Sequence, residues 1–337
     1  MATVSAPSPA PTARRFAFSR ARTASLIQRQ GVLIALILLI LFGALRYDNF
    51  FAAYNIASVL RFNSMFGLIA LGMTFVIMTG GIDLSVGAVV ALGSVIAALL
   101  TPYGMLPAIV VPVLVGMGIG FANGWIIARL ALLPFIVTLA MLLAARGLAL
   151  LLANNTSVGI TLDPGFVWFG QGDVLGVPVP ALVVGLAYVG GVILLRYSRF
   201  GRHVLAVGGN EEASRLMGLP VDRIKLGVYT LSGALAALAG VILAAQFGTG
   251  QPTEGLGWEL SAIASVVVGG TLLTGGMGSV GATLVGVLLL GLILNILNFE
   301  NGHGFISLSP YWQSVIRGTF LLVVVLLQNR LAQRRRS

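Results

Sequence analysis

Hydrophobic runs recur along almost the whole chain, separated by short polar or glycine-rich breaks. Most reach the ~20 residues that a helix needs to cross a ~30 Å hydrocarbon layer. Ten such spans are expected, over 31–45, 56–79, 84–100, 105–128, 135–152, 178–195, 226–246, 260–273, 280–298 and 312–328. The chain therefore reads as an all-α integral membrane bundle of about ten helices with no soluble module. The first run is followed by Arg46-Tyr47-Asp48 and no small-x-small cleavage site, so it reads as an uncleaved span. A tail over 1–30 precedes the membrane domain, which covers 31–329, and a basic tail closes the chain over 330–337. A polar loop over 154–177 and a charged island over 196–225 interrupt the apolar pattern.

Composition sharpens the class. Hydrophobic residues make up 58% of the chain and the mean hydropathy is +1.00, which excludes an ordinary soluble domain. The 44 glycines suit close helix packing in lipid, where small residues let backbones approach. There is no cysteine and only His203 and His303, so no thiolate or His-rich metal site is expected.

The net charge of +10 follows membrane topology rather than a nucleic-acid surface. With an even number of spans, both tails, the Arg129 turn and the island fall on one side. That side holds sixteen of the twenty Lys and Arg residues. The bias places both termini and the island in the cytoplasm. The opposite loops carry Asp48, Asp163, Asp173, Glu254 and Glu300.

The island is the most informative stretch. Asn210 is a good N-cap, Glu211 and Glu212 suit the positive end of a helix, Arg215 its last turn, and Gly218 its stop. A two-turn helix over 211–217 is predicted, with Ala213 and Ser214 inside it and a fresh start near Asp222. Two turns are not stable alone in water, so this helix needs a surface to dock on.

Two Gly-Gly breaks look like copies. Thr79-Gly80-Gly81-Ile82-Asp83-Leu84-Ser85-Val86-Gly87-Ala88 matches Thr274-Gly275-Gly276-Met277-Gly278-Ser279-Val280-Gly281-Ala282 with one deletion. Broken helices in duplicated halves are a feature of transporters, where unwound backbone lines a cavity. No P-loop is present: the only lysine, Lys225, stands between Ile224 and Leu226. Nor does any catalytic cluster stand out.

Glu212-Ala213-Ser214-Arg215-Leu216-Met217-Gly218 resembles the E-A-A-x-x-x-G coupling motif of ABC-importer permeases. The pattern's later Ile-x-Leu-Pro is missing, with Val228-Tyr229-Thr230 standing there. Residues 79–87, Ala206-Val207-Gly208-Gly209-Asn210 and Ala264-Ser265-Val266-Val267-Val268-Gly269-Gly270 are similar to ribose-type monosaccharide permeases. The resemblance covers about 49–328, and within the class it leans towards galactofuranose permeases. It implies a type II ABC-importer-like bundle in a bacterial inner membrane and a non-enzymatic pore. It implies three partners: a cytoplasmic ABC ATPase carrying the ATP and magnesium, a second permease chain (a copy or a paralogue), and a periplasmic or surface sugar-binding protein. Membrane lipid would surround it, and no cofactor is expected on this chain.

On that reading the sugar path needs hydroxyl-matching groups and an aromatic platform. Candidates are Asn63, Phe66, Thr74, Asp83, Thr138, Asn295 and Asn298, each of which an interhelical hydrogen bond or packing would also explain. Asp83 follows the first Gly-Gly pair and leads a helix, which favours a capping role over direct sugar contact. Glu259 is read the same way. Arg61, Arg146 and Arg317 are expected to snorkel or pair. Two alternatives stand beside the sugar importer: an ion-coupled secondary transporter working through Asp83, and an ABC permease for branched-chain amino acids.

Overall fold

The computed structural model describes residues 31–302 and, beyond them, positions 312, 315, 316, 318, 319 and 322. The two charged tails and most of the tenth expected span lie outside the described residues. Helix α1 (Gly31–Arg46) leads into α2 (Ala53–Met78), α3 (Val86–Leu100), α4 (Met105–Arg129) and α5 (Pro134–Leu152). Then come α6 (Pro164–Gln171), α7 (Val179–Tyr197), α8 (Arg199–Gly209), α9 (Glu211–Leu216), α10 (Val221–Phe247), α11 (Trp258–Val268) and α12 (Val280–Gly302). Among the described residues seven helices are long and apolar enough to cross a membrane: α2, α3 with its 3₁₀ extension to Tyr103, α4, α5, α7, α10 and α12.

The ends of the bundle differ in charge. One, here called the basic end, carries Arg129, Arg199, Arg202 and Arg223; the other, the acidic end, carries Asp48, Asp163 and Asp173. At the acidic end the expected polar loop has structure of its own. Asp163 caps α6 by accepting from the Phe166 N–H at 2.9 Å. Strands β1 (Val158–Gly159) and β4 (Thr249–Gly250) pair antiparallel, and β2 (Asp173–Val174) and β3 (Val177–Pro178) close a hairpin.

Helices α2, α3 and α10 form the core. Their close approach to α4 and to one another rests on glycine. Along α4, Gly116, Gly120 and Gly124 face α10, and a Cβ on Gly120 would stand 2.1 Å from the Tyr229 carbonyl oxygen. This is the small-x-x-x-small packing that lipid-embedded helices use, because van der Waals contact replaces the hydrophobic drive there.

The eighth expected span, 260–273, is corrected. Helix α11 holds only Trp258–Val268, about 16 Å of rise. Gly257, with φ +76, precedes it, and Gly270, with φ +90, ends it in a left-handed turn. Alternating helix and turn signals in an apolar sequence look like one long helix when only hydropathy is counted.

The expected repeat is also re-registered. Ser85-Val86-Gly87-Ala88 and Ser279-Val280-Gly281-Ala282 both open helices. However, the turn matching Gly80-Gly81 is Gly270-Thr271. The Gly81 N–H donates to Val76 O and the Thr271 N–H to Val266 O, both closing the same helix-ending turn. Gly275-Gly276 instead sit mid-way through the connection that follows α11.

A second echo links two helix heads. Gly81-Ile82-Asp83-Leu84-Ser85 introduces α3, and Gly257-Trp258-Glu259-Leu260-Ser261 begins α11. The heads of these two helices meet: a Cβ on Gly87 would stand 2.2 Å from Gly255 O and 2.6 Å from Glu259 Oε2. Helices that start from a common point inside a bundle, here the long α3 and the short α11, also occur where transporter helices are discontinuous.

Candidate functional site

The coupling residues predicted at 210–218 come together as one compact unit at the basic end. The Asn210 side chain accepts from the Ala213 N–H at 2.9 Å and caps α9. Ser214 Oγ donates back to Asn210 O at 2.8 Å and is the buried residue of the helix. Gly218, with φ +78, stops it, and the Leu219 N–H donates to Ser214 O. Glu212 is exposed. So are Leu216 at 85% and Met217 at 71%, two large apolar side chains at the C-terminal end of a helix outside the long apolar segments.

Ion pairs lock α9 to its neighbour. Glu211 lies 2.7 Å from Lys225 and 3.2 Å from Arg215, and Arg215 lies 2.8 Å from Asp222. Partial burial of the Glu211 carboxyl favours its protonated form, but the hydrogen bonds and charges of Lys225 and Arg215 outweigh this and hold it below the usual glutamate range. Arg215 is pushed above its ordinary value, chiefly by the Asp222 carboxylate beside it. Since Asp222 and Lys225 belong to α10, the stub is tied to one of the three core helices of the bundle.

Sequence reasoning did not anticipate α8, whose glycines make the other connection. Gly208 and Gly209 seat directly on both Gly-Gly breaks. A Cβ on Gly208 would fall 1.8 Å from Met78 O and 2.5 Å from Gly276 N. The Gly276 N–H donates to Met78 O at 3.0 Å, and a Cβ on Gly275 would lie 2.8 Å from Gly80 N. Thus the four break glycines, Gly80, Gly81, Gly275 and Gly276, gather beneath the island.

The path candidates divide. Asn63 and Phe66 line a cavity of about 230 Å³ with Gly257, Leu260, Ser261 and Gly291 among its walls. Phe66 packs on Trp258 with ring centroids 4.6 Å apart. The others are placed elsewhere. Thr74 Oγ1 is 2.9 Å from Thr283 Oγ1, and Thr138 Oγ1 donates to Pro134 O at 2.9 Å. Asn295 donates to Asn55 Oδ1 at 2.8 Å, and Asn298 is exposed further along α12.

Asp83 is buried and has a full set of donors. Oδ1 accepts from the Ser85 N–H at 3.0 Å and from Ser85 Oγ at 2.6 Å, and Oδ2 accepts from Ser232 Oγ at 2.8 Å. Asn123 Nδ2 donates in turn to Ser85 Oγ at 3.0 Å. This carboxylate joins the head of α3 to α10, and α4 joins through Asn123. Ser232 and Asn123 carry no sequence signal that would single them out; only the fold brings them to Asp83.

The sequence profile of the family described as branched-chain amino acid transport system / permease component matches residues 55–325. The chain belongs to this permease family. The ribose import permease protein of Escherichia coli (strain K12) is 40% identical to the permease over 313 residues, covering 91% of this chain and 96% of that one. The ribose import permease protein of Bacillus subtilis (strain 168) is 42% identical over 307 residues, 90% and 94% of the two chains. The L-arabinose ABC transporter permease protein of Azospirillum brasilense is 38% identical over 335 residues, 97% and 96%. No solved structure matches the chain. Although the family's description names branched-chain amino acids, these relatives are pentose permeases, so they do not support the amino-acid alternative.

Proposed function

We propose that the permease is the transmembrane subunit of a monosaccharide importer whose ATP is consumed by a separate chain. One observation carries the reading: α9 presents Leu216 and Met217 to solvent on a helix too short to stand alone, fixed by ion pairs to α10. Such a helix is built to receive a partner. The partner is an ATPase in the cytoplasm, which puts the basic end, and both tails, on the cytoplasmic side.

A binding protein outside delivers the sugar, and a second permease chain completes the path. The ribose and arabinose relatives favour a pentose over galactofuranose as cargo. Closure of the paired ATPase on α9 moves α10, and the bundle passes between outward- and inward-open states.

Reconstitution tests this. Proteoliposomes holding the permease, its ATPase and its binding protein are expected to accumulate sugar only with ATP. Leu216→Asp is expected to insert normally yet abolish uptake, because a charge replaces the docking contact. Accumulation by the permease alone, without any ATPase, overturns the reading.

A further inference from the structure

The segment between α10 and α11 runs inward, not over the surface. Gly250 packs on Ser94 and Ala98 of α3, and the Gln251 N–H donates to Ser94 Oγ at 3.1 Å. Five residues on, Gly255 meets Gly87, about 20 Å by helix rise from the outer end of α3. Glu254, expected in a surface loop, is therefore at membrane depth. Arg146 of α5 holds the segment there, its Nη1 donating to Pro252 O at 2.6 Å and Glu254 O at 2.5 Å.

This segment is open to the outside of the protomer. Thr253 is exposed, Leu256 is 70% exposed, and Glu254 and Glu259 are partly exposed. Hydrocarbon cannot satisfy non-helical backbone, each unmet group costing several kcal/mol, and it penalises charged side chains. Arg146 cannot escape by snorkelling while its Nη1 grips two main-chain carbonyls. The face is thus turned to water or to another protein surface. Continuity favours water, since Leu256, Gly257 and Leu260 also line the cavity that holds Asn63 and Phe66.

We propose that Thr253, Glu254, Leu256 and Glu259 form the aqueous wall along which an uncharged, polyhydroxylated ligand passes, with Arg146 as the positioning residue. The ligand class rests on the importer reading above. With Nη1 of Arg146 occupied, the wall offers carboxylate and hydroxyl acceptors but withholds its cation. That suits sugar hydroxyls better than a zwitterion's carboxylate. Arg146 and Glu259 attract each other, which offsets the wall's negative charge.

The chain has no cysteine, so single cysteines report cleanly. T253C and L256C in the assembled importer are expected to react with a membrane-impermeant charged thiosulfonate at least about tenfold faster than L114C and L186C, exposed apolar positions on α4 and α7. Labelled L256C is expected to block uptake. Reaction at the reference rate overturns the proposal, as does an L256C–L256C disulfide between copies without labelling, which marks a packed seam. In uptake assays Glu259→Leu is expected to lose about tenfold, the worth of one hydrogen bond to an ionised group, while Glu259→Gln keeps most activity. Equal activity of Glu259→Leu and wild type counts against the wall. Labelling as expected without ATP-dependent sugar uptake by the unmodified complex sinks the importer reading and leaves the aqueous wall standing.

Discussion

The Lys225 ammonium stands 2.7 Å from the Glu211 carboxylate, a direct link between the short helix at the basic end and the first turns of the central helix α10. Because Glu211 is 40% exposed, the pair contributes little to stability, about 1 kcal/mol or less for surface ion pairs. On the importer reading proposed above, its role is transmission. Glu211→Gln is expected to leave the unfolding midpoint within a degree or two yet lower the sugar moved per ATP consumed. The charge swap Glu211→Lys with Lys225→Glu is expected to restore part of it.

The same link has a pH dependence with a defined sign. The folded-state pKa of Glu211 is depressed, so its contribution is present above the unfolded value, about 4.3, and is lost as pH falls through the folded one. Amide exchange in α9 is expected to stay protected from neutrality down to the ordinary glutamate range and to speed up below it. The Glu211→Gln protein is expected to show no such step.

Glu212 is exposed and takes no part in these pairs. Glu212→Lys is expected to spare folding and uncouple ATP hydrolysis from uptake. Unchanged uptake counts against docking at α9.

Neighbouring glycines of α8 give a contrast. Gly208→Ala sets a methyl group into the Met78 carbonyl and the Gly276 amide, and backbone cannot step aside as a side chain can. An overpacking cost of about 1–3 kcal/mol or more is expected, seen as a lower unfolding midpoint in detergent. Gly209→Ala meets nothing within 4 Å and is expected to behave as wild type.

Ser232→Ala removes the donor on which Asp83 Oδ2 depends. An unsatisfied buried carboxylate oxygen costs about 1–3 kcal/mol, so the midpoint is expected to fall while the coupling ratio of surviving protein stays normal. Asp83→Asn is expected to do likewise, with uptake unaffected by a protonophore at fixed ATP. Loss of uptake to a protonophore would favour the ion-coupled alternative.

Hydropathy and helix punctuation located the long helices and the stub. Asn210, Gly218 and the fresh start at 221 are local signals, each acting within one turn, and local signals survive in a linear reading. The shortfall concerns what turns back. Segment 249–257 is polar and glycine-rich enough to pass for a surface loop between two spans, and nothing in its sequence says that it dips. Only the Gly87–Gly255 approach and the grip of Arg146 reveal that. Likewise the partners of Thr74 and Asn295, Thr283 and Asn55, lie more than two hundred residues away and are not legible in a linear reading. The echo of Asp83-Leu84-Ser85 in Glu259-Leu260-Ser261 was present in the sequence, but the louder glycine match obscured it.

Where Gly208 rests on Met78, Gly276 and their neighbours, main chain bears on main chain with no side chain between. Rotamers are the compliant element of a protein interface, and this joint has none to take up slack. A displacement of α8 is therefore expected to pass directly to the end of α2 and to the connection that follows α11. The gearing is stiff by virtue of what its residues lack.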